Sequence, residues 1–419
     1  MVIDVVGIQA GGWATLGEFE RAVVTAADVL LGGPRHLTLV PPQGDQVRLA
    51  LPSPLRPGLL DILAAYSDAR VVVLASGDPL LAGVGSTLVD LLGASQVRVH
   101  PAVSSVALAR ARMGWSSDSV DVVRLVEPGA SLVRGLLAPG RRLVVLSRDD
   151  TSAAAVAQTL IDAGFGDSRM TVFADLGAGS ETSWAEAAAR WGSRPVPRLN
   201  LICVDCVPTV ASPTWSPAPG LPDEAFENDG QLTKRDVRAS ALAQLRPVPG
   251  QLLWDLGAGA GSVAIEWARM NPRCRAVAVE RDPDRADRIR RNADRLGVPA
   301  VRVVIGEAAA VVAELPPPDA IFIGGGVSGA LIDRGWAALS GGGRLVAHAV
   351  TVESERVLLD AWRRLGGELS RISVERMEAI GSLHGWRPAR AVVQWSITRP
   401  MPAPSDPTVP HTRTGDEQA

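Results

Sequence analysis

A proline-rich segment near the middle of the chain constrains its fold more than any other feature. Between Pro208 and Pro222 the sequence loses all helical and strand periodicity, while periodic patterns run on both sides of it. Proline removes a backbone donor and fixes φ, so such a stretch is typical of a linker. A chain of 419 residues also exceeds what one hydrophobic core usually organises. We therefore predict a linker at 209–227 that joins two domains, 1–208 and 228–399.

Both predicted domains show the alternation of strands and helices that is typical of α/β folds. In the first half the predicted strands are 2–8, 71–75, 143–146 and 199–207, and the predicted helices are 84–92 and 151–163. In the second half the predicted strands are 251–255, 275–280, 301–305, 320–323 and 344–350, and the predicted helices are 237–245, 262–270 and 283–296. This second rhythm predicts a doubly wound parallel sheet. No internal repeat is visible, so we expect two different folds. The tail, 400–419, has no pattern and is expected to be disordered.

Composition and charge exclude several classes of protein. The apolar runs are far shorter than the roughly 20 residues of a membrane-spanning helix. The N-terminus does not resemble a secretory signal, so we expect a cytoplasmic protein without a membrane partner. The formal net charge is -3, and without a basic block we expect no nucleic-acid partner. Cys203 and Cys206 have metal-ligand spacing, but they lie in a strand-like run without a second ligand pair, so we predict no metal site.

The strongest local signal is a strand that runs into a glycine-rich turn and then a helix, Leu252–Ser262. Its glycines, Gly257, Gly259 and Gly261, allow a backbone to approach a ligand closely. The third glycine comes one residue earlier than in the G-x-G-x-x-G pattern of dinucleotide folds, and Asp255 ends the strand before the turn. A carboxylate there suits the cationic ammonium of S-adenosylmethionine (SAM) better than a pyrophosphate. No lysine follows the glycines, so a P-loop is excluded.

Residues after the next two strands complete the predicted SAM site. Glu280 ends the second strand, where a carboxylate accepts hydrogen bonds from both ribose hydroxyls of an adenosine group. Glu307 and Ala308 follow the third strand, where such folds contact adenine with a polar side chain and a backbone amide. The acidic pair Asp255 and Glu280 around a glycine turn therefore predicts a SAM-binding domain.

This second domain resembles the decarboxylating, carbon-15 methylating domains of the precorrin methyltransferase family. The resemblance spans roughly 226–398 and is carried by the segments Asn228–Arg238, Trp254–Trp267 and Ile323–Gly326. It implies that Thr233 lies over the SAM site, that the turn glycines cradle SAM, and that Gly324, Gly325 and Gly326 border the substrate cleft. The family commonly has Asp where this chain has Glu307, and Asn where it has His348.

Several polar residues of this domain are candidates for contact with substrate. Precorrins carry many carboxylates, which suit bidentate arginines. Lys234, Arg235 and Arg238 lie beside the predicted cleft and are candidates for binding these carboxylates, although they also fit a solvated helix start. His348 is either a general base or, as is commoner near the end of a buried strand, a structural residue. No catalytic base is assigned.

The first domain resembles the tetrapyrrole methylase family, specifically its carbon-5 methylating members. The segments that carry the resemblance are Val5–Gly12, Val71–Pro79, His100–Ser105 and Ala109–Trp115. The family holds SAM in a cleft between two α/β lobes, which implies that Gly7, Gly77, Asp78, Ser104 and Ser105 bind SAM here. The segment 126–128 departs from the family pattern, so we expect a retained SAM site and a diverged substrate wall.

Together the two resemblances imply a bifunctional SAM-dependent methyltransferase of cobalamin (corrin) biosynthesis. It would methylate reduced precorrin-6 at carbons 5 and 15 and decarboxylate the ring C acetate to give precorrin-8. We expect one SAM per domain, a tetrapyrrole as the partner, and a homo-oligomer. Two alternatives remain open: a methyltransferase for RNA or protein, and a chain whose N-terminal half is not catalytic.

Overall fold

The computed structural model describes residues 2–125, 129–209 and 215–401. Contacts divide the chain into two compact units, Met1–Trp215 and Ser216–Ala419, and each is described separately. The segment 126–128, which departs from the pattern of the family, lies outside the described residues. Most of the tail that is expected to be disordered also lies outside them. Within the described residues, no helix is long and apolar enough to cross a membrane.

The first unit begins with a wholly parallel sheet. Its strands are β1 (Ile3–Ile8), β2 (Val29–Gly32), β3 (Val47–Ala50), β4 (Val71–Ser76) and β5 (Val97–His100), in the order β3-β2-β4-β1-β5. The accompanying helices are α1 (Glu18–Thr25), α2 (Pro34–Thr38), α3 (Leu55–Ala65), α4 (Val84–Leu92) and α5 (Ser105–Met113). Strands β1 and β4 are almost entirely buried, which explains why they are continuous apolar runs rather than alternating ones.

A second sheet completes this unit. Its strands are β6 (Asp121–Arg124), β7 (Arg142–Leu146), β8 (Arg169–Ala174), β9 (Thr182–Ala187) and β10 (Asn200–Asp205), with helices α6 (Ser152–Asp162) and α7 (Ala188–Trp191). The order is β6-β7-β10-β8-β9, and only β6 and β7 are parallel. Helix α5 packs on this sheet through Val106 and Ala109. The α/β class and the two-lobed form of this unit are confirmed.

The two cysteines with metal-ligand spacing belong to the core of this second sheet. Cys203 lies on β10 and Cys206 just beyond it, and both are buried. Burial raises the pKa of each thiol to about 12, so both are neutral thiols at ordinary pH. Within the described residues no cluster of His, Cys, Asp and Glu side chains could hold a metal ion.

The second unit is built on a seven-stranded sheet with helices on both faces. The sheet strands are β11 (Leu252–Leu256), β12 (Arg275–Glu280), β13 (Arg302–Ile305), β14 (Ala320–Ile323), β15 (Arg344–Ala349), β16 (Glu368–Ile372) and β19 (Val392–Thr398). A separate hairpin is formed by β17 (Glu375–Ile380) and β18 (Leu383–Pro388). The helices are α8 (Arg235–Leu245), α9 (Ser262–Met270), α10 (Pro283–Arg295), α11 (Ala308–Val311), α12 (Gly329–Ala338) and α13 (Val352–Leu365). The sheet order is β13-β12-β11-β14-β15-β19-β16.

The predicted doubly wound parallel sheet is confirmed for β11 to β15, and two strands that were not predicted extend it at one end. Strands β11 to β15 are parallel, but β19 is antiparallel to both β15 and β16. A parallel pair needs a crossover connection, usually a helix, whereas the hairpin β17–β18 is what joins β16 to β19. The hairpin also exposes four large apolar side chains, Met377, Ile380, Leu383 and Trp386.

Residues 220–234, which we call the strap, are tied to the second unit by a buried ion pair. Glu266 on α9 accepts hydrogen bonds from the backbone N–H of Gly220 at 2.7 Å and of Leu221 at 3.0 Å. Its carboxylate also receives the Nε of Arg238 at 2.6 Å, and the Arg238 side chain is fully buried. Arg238 in turn donates to the carbonyl oxygens of Leu221 and Thr233.

Two predictions are corrected by this pair. The strap begins inside the predicted linker, 209–227, so the later part of that segment is packed structure rather than free connection. Arg238 was a candidate for binding substrate carboxylates, and this is wrong because its guanidinium has no exposed surface and is already bonded to Glu266. Its role is to hold the strap.

We expect Glu266→Gln to destabilise the second unit by roughly 3 kcal/mol or more, because it leaves the Arg238 guanidinium buried without its full counter-charge. The free energy of unfolding is measured by urea titration. The matched control is Asp236→Asn, which removes the ion pair between Asp236 and Arg376. Their side chains are 44% and 59% exposed, respectively, so this variant should lose less than about 1 kcal/mol of stability. Equal losses in the two variants would contradict a structural role for the buried pair.

Candidate functional site

The second unit has a cavity at the carboxyl ends of its central parallel strands. Its volume is about 220 Å³, and it lies where the strand order reverses direction beside β11, the usual ligand position in doubly wound sheets. Its walls come from the strap, the turn after β11, the ends of β12 and β13, and the loop after β14. The lining residues are Gln231, Leu232, Thr233, Gly257, Ala258, Gly259, Val279, Glu280, Arg281, Arg285, Gly306, Glu307, Ala308, Gly325 and Gly326.

Two glycines of the turn after β11 allow the cavity walls to come together. Gly257 has φ +72°, and a Cβ on it would lie 2.7 Å from the carbonyl oxygen of Gly325. Gly259 has φ +58°, and a Cβ there would lie 2.7 Å from the carbonyl oxygen of Gln231 in the strap. Both positions therefore require glycine for conformation and for space.

Gly261, the third glycine of the turn, has a packing role. It does not line the cavity, and a Cβ on it would lie 2.6 Å from the side chain of Ile289 on α10. This glycine therefore brings the start of α9 against α10, and its contact with the cofactor stays a prediction. The predicted cleft residue Gly324 likewise lies outside the cavity wall, whereas Gly325 and Gly326 are part of it.

Glu280 is held as a carboxylate at the end of β12. Its Oε2 accepts a hydrogen bond from the N–H of Gly259 at 2.8 Å, and its Oε1 accepts one from the N–H of Asp282 at 3.1 Å. The side chain is buried except where it meets the cavity. Each carboxylate oxygen has a second acceptor position, so Glu280 can still receive two hydroxyl groups.

Asp255 lies beneath the glycine turn, behind the cavity wall. Its Oδ2 accepts a hydrogen bond from the N–H of Ala264 at 2.9 Å and so anchors the first turn of α9. Burial, with a smaller contribution from Glu280, raises the pKa of Asp255 to about 7. Its Oδ1 is buried and has no hydrogen-bond partner among the described residues. Asp255 does not line the cavity, so its contact with a ligand stays a prediction, whereas the glycine turn and Glu280 present a close backbone and a carboxylate to a ligand with vicinal hydroxyls.

The strap is fixed over this cavity from two directions. Asp229 accepts hydrogen bonds from Arg285 at 2.9 Å and forms an ion pair with Arg288 at 3.0 Å, so α10 holds one end of it. Arg238 holds the carbonyl oxygen of Thr233 at the other end. Thr233 consequently lies in the cavity wall, as the resemblance implies.

The remaining cationic candidates lie at the start of α8, outside the cavity wall. The Nζ of Lys234 is 3.6 Å from Asp223, and the side chain of Lys234 is more than half exposed. Arg235 is exposed as well, and its backbone N–H donates to Asp223 at 3.0 Å. Neither residue lines the cavity.

His348 is a structural residue of the second unit. It lies on β15 with 6% of its surface exposed, and its Nε2 donates to Oε1 of Gln394 at 2.9 Å. The ring of Phe322 packs edge-on against it, with centroids 4.9 Å apart. Burial lowers the pKa of His348 to about 4, so the imidazole is neutral at ordinary pH. A role as general base is therefore not supported.

The first unit has a larger cavity, of about 540 Å³. Four of the residues expected to bind SAM line it, namely Gly77, Asp78, Ser104 and Ser105. The fifth, Gly7, does not: a Cβ on it would lie 2.0 Å from the carbonyl oxygen of Gly77, so this glycine lets β1 approach the turn after β4. A direct contact of Gly7 with the cofactor stays a prediction.

The polar members of the first cavity are fixed by local hydrogen bonds. Oδ1 of Asp78 accepts from the N–H of Leu80 at 2.8 Å. Oγ of Ser104 caps α5 by accepting from the N–H of Ala107 at 3.1 Å.

Sequence reasoning missed a further group, the arginines Arg35, Arg124 and Arg148 in the same wall. Arg124 and Arg148 lie at or just after the ends of strands. A polar residue that follows an apolar run at such a place is a sequence feature that could have indicated a binding residue.

Comparison with known proteins gives matches over both units. The profile of tetrapyrrole (corrin/porphyrin) methylases matches residues 5–189, and that of the precorrin methyltransferase domain matches 224–399. A Sinorhizobium precorrin-6Y C(5,15)-methyltransferase (decarboxylating) is 42% identical over 398 residues, which cover 95% of this chain and 96% of the relative. A protein of the same description from Mycobacterium tuberculosis (strain CDC 1551 / Oshkosh) is 42% identical over 404 residues, covering 95% of this chain and all of the relative.

A solved structure matches the second unit. The crystal structure of the C-terminal domain of precorrin-6Y C5,15-methyltransferase from Rhodobacter capsulatus is 47% identical. It covers 44% of this chain and 100% of that chain, with a TM-score of 0.42.

We predict that the second unit loses stability as the pH falls from about 6.5 to about 4 through His348. In this window the unfolded state, in which an ordinary histidine titrates near 6.5, binds more protons than the folded state. His348→Gln keeps a polar partner for Gln394 and should flatten the decline. The free energy of unfolding is measured at several pH values for variant and parent, so that other groups cancel. Exposed His384, changed to Gln, is the control and should leave the slope unaltered.

Proposed function

We propose, from the premise that this chain belongs to the family of decarboxylating precorrin-6Y C(5,15)-methyltransferases, that its two units divide the two methyl transfers between them. The first unit would methylate carbon 5 of reduced precorrin-6. The second would methylate carbon 15 and remove the carboxyl group of the ring C acetate, which gives precorrin-8. The observation that carries this division is the presence of one glycine-walled cavity in each unit.

We propose that each cavity binds one molecule of SAM. In the second unit Glu280 would accept the ribose hydroxyls, and Glu307 with Ala308 would flank adenine. Asp255 would contribute from behind the wall, where it anchors the first turn of α9 beneath the glycine turn. In the first unit Gly77, Asp78, Ser104 and Ser105 would hold the donor. SAM supplies a methyl group on a sulfonium, whose leaving group is already activated.

The residues of the second unit then have a mainly positional task. The backbone around Gly257 and Gly259 fits the donor closely, and the strap with Thr233 covers it and keeps water away. Alignment and exclusion of water are what an in-line displacement on an activated donor needs, which agrees with a site built from backbone and carboxylates. After decarboxylation, the conjugated macrocycle of the substrate takes up the electron pair.

We also propose that the protein self-associates. The hairpin β17–β18 presents Met377, Ile380, Leu383 and Trp386 with 51% to 71% of their surfaces exposed. The register pairs Met377 with Trp386 and Ile380 with Leu383, and the alternation of side chains along a strand places the two pairs on opposite faces of the hairpin. Exposed large apolar side chains of this kind favour a hairpin that packs between neighbouring molecules. The mass in solution, measured by light scattering for the parent and for Leu383→Ser with Trp386→Ser, tests this: a monomeric parent would refute it.

The division of labour is tested by incubating the full chain with reduced precorrin-6 and methyl-labelled SAM, followed by mass spectrometry of the pigment. The parent should add two methyl groups and lose one carbon dioxide. Gly257→Ala places a Cβ 2.7 Å from a carbonyl oxygen at φ +72°, so it should add one methyl without loss of carbon dioxide. Gly77→Ala, at φ +53°, should add one methyl with that loss.

Matched controls separate these effects from backbone strain alone. Gly250 and Gly114 also have positive φ, +95° and +68°, but a Cβ on either meets nothing within 4 Å. Gly250→Ala and Gly114→Ala should therefore retain both methylations. If Gly257→Ala and Gly77→Ala lost both reactions together while remaining folded, the division between units would be wrong. An unchanged pigment with the parent would refute the substrate.

A further inference from the structure

The wall of the first cavity carries more positive than negative charge. Arg35, Arg124 and Arg148 line it, and among the described residues Asp78 is the single carboxylate in the wall. That carboxylate already accepts the N–H of Leu80. The rest of the wall is largely apolar, with Leu125, Leu146 and Phe173 among its members. A cavity of this kind suits a flat apolar ligand with anionic groups on its periphery.

Strand pairing places two of the arginines at the same edge of the second sheet. Strands β6 and β7 are parallel, and Arg124 at the end of β6 pairs with Leu146 at the end of β7. Arg148 follows Leu146 by two residues, in the bend directly after β7. All three residues line the cavity. The register of the sheet thus brings the ends of β6 and β7, with Arg124 and Arg148, to one wall of the cavity.

Arg124 and Arg148 differ in how they are engaged. The side chain of Arg148 is half exposed and pairs with the neighbouring Asp149 at 2.9 Å. The residue Arg124 is exposed, and within 2–125, 129–209 and 215–401 its guanidinium has no hydrogen bond or ion pair. Arg124 is therefore the member with its donors open to a ligand.

Arg35 approaches the same cavity from the first sheet. Its Nη2 lies 3.1 Å from Nε2 of His36 and 3.4 Å from Oγ of Ser76, and Ser76 is also in the cavity wall. Nε2 of His36 is in turn 2.8 Å from Oγ of Ser76, so this small cluster fixes the direction of the guanidinium. No carboxylate among the described residues lies within 4 Å of it, and it is only partly exposed. Burial lowers the pKa of Arg35, and the carboxylate of Asp175 opposes this only in part. A partly buried cation without a directly paired carboxylate favours an anionic ligand.

We propose that Arg35, Arg124 and Arg148 form a carboxylate-binding wall that holds the acetate and propionate side chains of the tetrapyrrole in the first unit. This inference rests on the proposed function, since it concerns the substrate of that same site. Guanidinium groups match carboxylates with two parallel hydrogen bonds, and the apolar part of the wall receives the macrocycle. These three arginines of the first unit differ from the cationic residues that the sequence predicted in the second unit.

The carboxylate that these arginines bind could also come from the methionine part of SAM. The two sources predict different losses. Arginines that bind the tetrapyrrole affect its KM and leave the affinity for SAM unchanged. Arginines that bind the donor weaken SAM binding instead.

The test uses the full chain and the variants Arg124→Met and Arg35→Met, with KM and kcat measured for the methylation that occurs without loss of carbon dioxide. We expect the KM for the tetrapyrrole to rise about tenfold or more in each variant, with kcat changed less than about threefold and SAM affinity by calorimetry unchanged. Arg124→Lys should recover part of the loss, because it keeps the charge without the fork. Unchanged SAM affinity in the first unit is the control for its folding, and decarboxylation, a reaction of the second unit, is the control for the amount of active protein.

The matched surface control is Arg56→Met, which removes an exposed ion pair with Asp90 at 3.0 Å and does not line the cavity. A second probe is the substrate with its side-chain carboxylates converted to methyl esters. The parent should then bind it as weakly as Arg124→Met does, so that the difference between the two disappears.

Three results would overturn the inference. One is an unchanged KM in both arginine variants, and another is a difference between parent and Arg124→Met that persists with the ester. The third is a loss of SAM affinity at constant KM for the tetrapyrrole, which would assign the arginines to the donor. If the parent does not methylate the pigment at all, the proposed function fails first. In that case the binding of the tetrapyrrole to the parent and to Arg124→Met is compared by absorbance titration. The inference requires that one of the binding phases is weaker in Arg124→Met.

Discussion

Close approach of two backbones at the carboxyl ends of parallel strands is the constraint on which both units depend. In the first unit the turn after β4 passes so near β1 that a Cβ on Gly7 would lie 2.0 Å from the carbonyl oxygen of Gly77. In the second unit the turn after β11 meets the loop after β14, with 2.7 Å between a Cβ on Gly257 and the carbonyl oxygen of Gly325. Only glycine permits either geometry, and the cavities lie where these turns meet.

A second constraint is electrostatic and explains why the strap is ordered. The fully buried guanidinium of Arg238 needs a counter-charge and acceptors, since an unpaired charge inside a protein is costly. Glu266 supplies the charge, and carbonyl oxygens of Leu221 and Thr233 supply further acceptors. Satisfying one side chain therefore fixes both ends of the strap, and Thr233 reaches the cavity as a consequence. The bonds of Glu266 to Gly220 and Leu221 also lie within the proline-rich segment, so a linker predicted from proline content ended too late, at residue 227.

Sequence reasoning succeeded where a local pattern determines a local structure. Helix 262–270 and strand 275–280 have the predicted bounds because capping, apolar periodicity and flanking turns act within a few residues. It failed where a property depends on distant parts of the chain. The antiparallel β19 is set by the hairpin before it, the burial of Arg238 by a glutamate on another helix, and the packing role of Gly261 by Ile289 on α10. The arginines of the first cavity come from both of its sheets, so no single motif contains them.

The two cavities differ in a way that bears on how one anionic macrocycle can serve both units. Pockets that enclose drug-sized ligands are typically about 300 to 1,000 Å³. The first cavity, about 540 Å³, lies within this range and carries three arginines, so it can take part of the macrocycle as well as a donor. The second cavity, about 220 Å³, is smaller, and its wall carries two carboxylates, Glu280 and Glu307, and two arginines, Arg281 and Arg285. Opposite charges therefore balance in this wall, in contrast to the first cavity. Its small volume favours a substrate that lies across the mouth, where the edge formed by Gly325 and Gly326 is uncharged and only the carbon that receives the methyl group has to approach the donor.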